Sequence, residues 1–203
     1  MNLFFKTSIV VIALALISQP AFATHFKVDP AHSSVGFQVR HLVSRVDGNF
    51  RTFEATYTFD KDKLASFNLQ AVAQVDSIDT NNKKRDEHLK SPDFFDAKKF
   101  PTISFKSTHL EKQSDTQYKV TGDFTMHGVT KSVTFDVEHL GEAKDPMGTV
   151  RGGATATASV NRKDFGIVWN KQLDAGGVML GEDVKITLNL ELIEDKPEAK
   201  KAK

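Results

Sequence analysis

The chain has 203 residues, with 26 acidic against 27 basic side chains and no cysteine. The near balance of charge does not suggest a nucleic-acid partner, and the lack of thiols excludes disulfides, thiolate metal sites and cysteine nucleophiles. The length allows one domain with a sizeable interior, which has to stand on its own apolar core.

Residues 1–23 read as a cleavable secretory signal. Lys6 precedes an apolar run from Ile9 to Ile17, and Ala21-Phe22-Ala23 supplies a small-x-small cleavage pattern. The run falls short of the roughly 20 residues that cross a bilayer, so no stable membrane insertion is expected. With no cysteine available for acylation, a soluble product starting near Thr24 is expected in a Gram-negative periplasm.

The next segments alternate apolar and polar residues with period two, the mark of half-buried strands. From Ser33 to Val43, Val35, Phe37, Val39 and His41 share one face, and Ser34, Gln38 and Arg40 the other. The pattern returns with Phe53, Ala55, Tyr57 and Phe59, then, after the polar turn Asp60 to Lys63, with Phe67, Leu69, Ala71, Ala73 and Val75. Between Asp76 and Phe100 lies a connection too long for a hairpin. Thr80 is the expected N-cap of a short helix over NNKKRDEHL, ended by Ser91-Pro92 and pinned by Phe94, Phe95 and Phe100. Asp76, Asp79, Asp86 and Glu87 read as its solvated face.

Alternation resumes through Ile103, Phe105 and Ser107, through Tyr118, Val120, Phe124 and Met126, and through Val133, Phe135 and Val137. Beyond the turn Asp145-Pro146-Met147-Gly148, the strand from Val150 to Val160 shrinks its apolar face to Gly152, Ala154, Ala156 and Ala158. Such a strand either admits another backbone or leaves a cavity. Asn161 to Gly181, with Phe165, Trp169, Gly176 and Gly177, reads as a partly ordered flap. Val184, Ile186, Leu188, Leu190 and Leu192 mark the last strand, so the domain is expected over residues 24–193, followed by a flexible charged tail over 194–203.

Eight strands counted from Ser33, mostly joined by short turns, favour an all-β antiparallel barrel with a helical insertion and a flap. A β-sandwich is the alternative for the same pattern. In an up-and-down order the two long loops, the strand end at His41 and the turn at His127-Gly128 meet at one end. That end is expected to be the mouth, with His41, Arg45, His127, Arg162, Trp169 and Lys171 around it.

The run VDPAHSSVGFQVRHL with the following Gly48-Asn49-Phe50, the segment DSIDTNNKKRDEHLKSPDFFDAKKFPTISFKS, the stretch TGDFTMHGVTKSVTFDV, the DPMG turn and NRKDFG resemble, in order, the YceI-like family. The resemblance spans nearly the whole chain after the signal. It implies an exported, lipocalin-like eight-stranded barrel that binds a polyisoprenoid, an isoprenoid phosphate or another long-chain lipid.

With that resemblance, Phe37, Val39, Phe53, Tyr57, Phe105, Phe124, Phe135 and Leu188 are expected to wall a cavity, with Ala154, Ala156 and Ala158 supplying room. A dry core filled by the same side chains is the alternative. A polar head group is expected at the mouth against His41, Arg45, His127, Arg162 and Trp169, unless Arg162 pairs with Asp164 to hold the flap. The sequence has no G-x-S-x-G elbow, no phosphate loop and no H-x-x-x-H or H-x-H pair, so no catalytic group, cofactor or resident metal is expected. The competing class is an enzyme of unknown reaction, with His41, His109 and His139 as conceivable ligands of an ion; strand direction sets His41 at the end opposite the other two. A monomer and a homodimer are both compatible with the chain.

Overall fold

The computed structural model describes residues 24–59, 63–173 and 178–195; the leader, Gly176, Gly177 and the tail from 196 on lie outside the described residues. The strands are β1 (Thr24–Val28), β2 (Ser34–His41), β3 (Ser44–Phe50), β4 (Phe53–Phe59), β5 (Asn68–Gln74), β6 (Ile78–Asp79), β7 (Thr102–Lys112), β8 (Gln117–Met126), β9 (Val129–Lys144), β10 (Val150–Asn161) and β11 (Leu180–Glu194), with one helix, α1 (Lys83–Lys90). They pair antiparallel in the order β1-β4-β5-β7-β8-β9-β10-β11-β2-β3-β6, and β1 returns to β11. The sheet is therefore a closed barrel and not a sandwich.

The eleven strands make eight lanes. β1 and β2 lie along the same edge of β11, Val28 opposite Leu192 and Ser34 opposite Asn189. They are halves of one lane, broken by a 3-10 turn at Pro30–His32, where proline cannot donate to a ladder. β3 and β4 follow on β2 and β1 as the second lane, broken at Arg51-Thr52. β6 continues the β5 lane beside β3 after a 3-10 turn at Val75–Ser77.

Several expectations are corrected here. The first lane begins at Thr24, ahead of Ser33, and β3 is a strand that the alternation did not signal. β7 and β9 run well past Ser107 and Val137. β11 runs through Glu194, and Asp195 pairs with Lys27 at 3.0 Å. The N-cap of α1 is Asn82, whose side chain accepts from Arg85 N, while Thr80 is buried beneath the helix. Asp86 is not on a solvated face: it is buried and accepts from both the backbone N–H and the hydroxyl of Thr80.

Aromatic rings brace the interior. Phe26 stacks on Tyr57 with centroids 5.0 Å apart, and Phe105 meets Phe135 edge-on at 5.1 Å. Gly48 is required at its place because a Cβ there would collide with the ring of Phe37.

A charged cluster ties the corner between β1 and β2 to the two strands behind it. Arg151 of β10 donates to Asp29 and Asp145, each at 3.0 Å, and to Glu191 of β11. His32 lies 2.9 Å from Asp29. The hydrogen bonds from His32 and Arg151 pull the Asp29 carboxyl down from 3.8 to about 2, and Asp29 in turn raises His32. Backbone N–H groups, Thr149 first, and Arg151 lower Asp145.

A carboxylate depressed in the fold stabilises it above its unfolded pKa of about 4 and loses that contribution as pH falls through the folded value. His32, being raised, contributes fully below about 6.5 and loses its contribution as pH rises through its folded value. The melting temperature should therefore fall as pH drops from about 4 to about 2. Arg151→Met should start lower and show a flatter acid limb in thermal melts across that interval; parallel limbs would show that the cluster does not hold the corner.

Candidate ligand-binding cavity

Inside the barrel, alternation on β10 turns Gly152, Ala154 and Ala156 inward, all buried. Ala156 stands between Val137 of β9 and Leu188 of β11, so a small side chain faces the axis between two larger ones. The shortfall leaves a cavity of about 290 Å³ with an almost entirely carbon wall. Phe37, Val39, Phe53, Tyr57, Phe105, Phe124, Phe135, Ala154, Ala156 and Leu188 all line it. Ala158 packs against the core cluster opposite Ile186 instead, off the cavity wall. The expected cavity forms, and the alternative of a dry core does not.

The sequence reading missed Val184 and Ile186, which also line the cavity and share the inward face of β11 with Leu188; alternation alone would have found them. It also missed the lining by Leu89, Phe94, Phe95 and Ile167. These come from α1, the segment after it and the flap, and only the folded connection brings them over the barrel. They roof the end expected to be the mouth, with Trp169 packed 5.1 Å from both Phe94 and His88.

Arg162 is the head-group candidate that reaches the cavity. Asn161 caps the 3-10 turn Arg162–Phe165 by accepting from Lys163 N, and Gly166 ends it with φ of +77. The turn swings the guanidinium inward, where it is 3% exposed. Nε donates to Gly181 O at 2.9 Å and Nη1 to Ile167 O at 2.7 Å. Among the described residues, Nη2 is the one buried side-chain polar atom without a hydrogen-bond partner. Burial pushes the guanidinium down from the usual arginine range. The alternative pairing with Asp164 does not form, since both engaged nitrogens go to main-chain carbonyls.

The other four candidates sit at the same end but are engaged elsewhere. His127 Nδ1 lies 2.9 Å from Phe165 O, and its ring packs on Phe100. Arg45 is exposed and donates to Gln38, while His41 pairs across the hairpin with Ser44. Trp169 belongs to the roof. At the far end the cavity is bordered by His139, and by Tyr57, whose hydroxyl burial pushes above its usual range. His109 is exposed and His41 is at the roofed end, so the three histidines considered for one ion do not converge. Asp29, His32 and Glu191 do converge, with ligand atoms within 4.8 Å of one another. Arg151 already supplies the cation between those two carboxylates.

The YceI-like domain family matches residues 26–192. The chain belongs to the YceI-like family. A UPF0312 protein of Staphylococcus aureus strain N315 is 43% identical over 170 residues, covering 83% of this chain and 96% of its own length. The crystal structure of the Campylobacter jejuni YCEI protein superposes with a TM-score of 0.66 at 33% identity, over 83% of this chain and 97% of that one. A domain from Saccharophagus degradans, described as polyisoprenoid binding and implicated in plant cell wall breakdown, shares the fold with a TM-score of 0.61 at 13% identity, over 84% and 98% of the two chains.

Filling the cavity from the small-residue strand should block it. Ala156→Phe is expected to weaken uptake of a fluorescent long-chain fatty acid at least about tenfold, the equivalent of about two methylenes left in water. Unchanged far-ultraviolet circular dichroism would show the barrel intact, and unchanged uptake would mean that the chain binds elsewhere.

Proposed function

We propose that the protein carries one long-chain apolar molecule, a polyisoprenoid, an isoprenoid phosphate or a fatty-acid-like lipid, inside the barrel without converting it chemically. The observation that carries this reading is a carbon-walled cavity lined at its roofed end by Arg162, a buried arginine whose Nη2 has no hydrogen-bond partner. Each methylene taken out of water contributes about 0.8 kcal/mol, so a long chain binds firmly without directional contacts. The guanidinium then favours a ligand with a hydrogen-bond acceptor at one end, best an anionic one, because a charge buried without a counter-charge is costly. The polyisoprenoid-binding description of the S. degradans domain, which shares the fold, supports the same class of ligand. The leader read in residues 1–23 supports action in the periplasm, for carriage, storage or stress response.

Protein prepared from its own host compartment and extracted with organic solvent should release one long-chain lipid per chain by mass spectrometry. An extract without such a species would overturn the carrier reading. The polar end is tested separately with Arg162→Met. Affinity for a long-chain carboxylate or phosphate should fall about tenfold to a hundredfold, the worth of a hydrogen bond to a charged group. Affinity for the methyl ester of the same chain should change much less, and calorimetric titration of both ligands distinguishes the two. Equal losses would mean that Arg162 serves only to hold Gly181 and Ile167.

A further inference from the structure

The hairpin between β2 and β3 turns through two residues, Leu42 and Val43, with His41 opposite Ser44. Leu42 takes a φ of +52, the left-handed region that tight hairpins give to glycine or asparagine. Val43 is fully exposed at 103% and Leu42 is 39% exposed. The turn thus carries aliphatic residues against both local rules, backbone preference and hydration.

A third departure accompanies these two. Arg40 and Arg45 stand directly opposite each other in the ladder, a like-charge pair that works against the hairpin. Arg40 donates to Leu42 O at 3.0 Å and Arg45 to Gln38 Oε1 at 2.9 Å, and among the described residues neither is paired with a carboxylate. Asp47 on β3 accepts from Gln38, and Glu182 at the start of β11 is taken by Lys163. Leu42 N donates to Met179 O, and Met179 N donates to Lys171 O, which brings the flap and its exposed lysine beside the tip.

We infer that this hairpin tip, Leu42 and Val43 with Arg40, Arg45 and Lys171 around them, docks the protein on the surface of an anionic lipid bilayer. Two aliphatic side chains on a point have no flat area for a protein partner, but they reach below a layer of head groups while the arginines meet the phosphates. The tip also borders the cavity: Leu180, next to Met179 and opposite His41, is part of its wall. Docking would bring that end of the barrel against the membrane, whichever molecule fills it.

The test is co-sedimentation of the chain from Thr24 onward, which contains the whole barrel, with vesicles of phosphatidylethanolamine and phosphatidylglycerol. Vesicles of phosphatidylcholine alone are the comparison. The parent should bind the anionic vesicles at least about tenfold better, and Leu42→Gly with Val43→Ser should lose about tenfold or more on them. That variant should melt no lower than the parent, because glycine suits the turn. Arg40→Gln with Arg45→Gln should reduce binding to the level seen on phosphatidylcholine. A parent that stays in the supernatant with anionic vesicles, or a Gly-Ser variant that sediments as well as the parent, would overturn the inference; the first outcome would leave the tip to a protein partner.

Discussion

A closed antiparallel sheet fixes the space it encloses. Two facing sheets of a sandwich can slide together when one supplies too little side-chain volume, but eight lanes hydrogen-bonded in a ring hold their circumference. Here β10 offers Gly152, Ala154 and Ala156 where its neighbours offer Val137 and Leu188, and the ring cannot shrink to compensate. Side chains around the gap lack contact atoms on one side and forgo that dispersion, while stacked and edge-on aromatic pairs brace the wall.

The ring closes at its least regular place. β11 pairs with β10 along one edge and with both β1 and β2 along the other, and the turn between those two halves interrupts the ladder. Pro30 has no N–H to give, so the corner needs other ties. Asp29 N donates to Glu191 O, Ser33 exchanges hydrogen bonds with Glu191, and Arg151 gathers three carboxylates from three segments. At the opposite end the roof is held by a smaller device. Asp86 accepts twice from Thr80, and Arg85 donates to the hydroxyl and carbonyl of the same residue. That network seats α1 on the rim and leaves its apolar neighbours Leu89, Phe94 and Phe95 facing inward.

The cavity wall was legible because a period of two decides which side of a strand is inside, and Phe105, Phe124 and Phe135 needed nothing further. Lane breaks were not legible. A strand interrupted for a few residues keeps its alternation on either side, and β1 is too short to show the pattern, so a count by alternation starts at Ser33. Asn82 and Thr80 satisfy the same capping chemistry, and only tertiary packing decides between them. Asp86, in a run of charged residues, carries no local mark of burial. Strand direction grouped the five head-group candidates at one end of the barrel, where the structure also has them, yet four of the five make their contacts elsewhere. Arg162 differs because its partners are the carbonyls of Gly181 and Ile167, and main-chain acceptors leave no trace in side-chain pattern.

The same contrast explains why a container is easier to read than its cargo. Hydrophobic burial is non-directional and scales with area, so a wall of phenylalanine, valine and alanine specifies an apolar chain of limited bulk and little else. Direction enters with the one guanidinium among the lining residues, held by two carbonyls and left with Nη2 unpartnered. Its fixed position sets a cationic group beneath the roof, while the far end is bordered by the polar groups of Tyr57 and His139. A chain seated in the barrel would gain most of its affinity from the wall and its orientation from Arg162. Alternation encodes the first of these in many residues, whereas the second rests on one turn of backbone after Asn161.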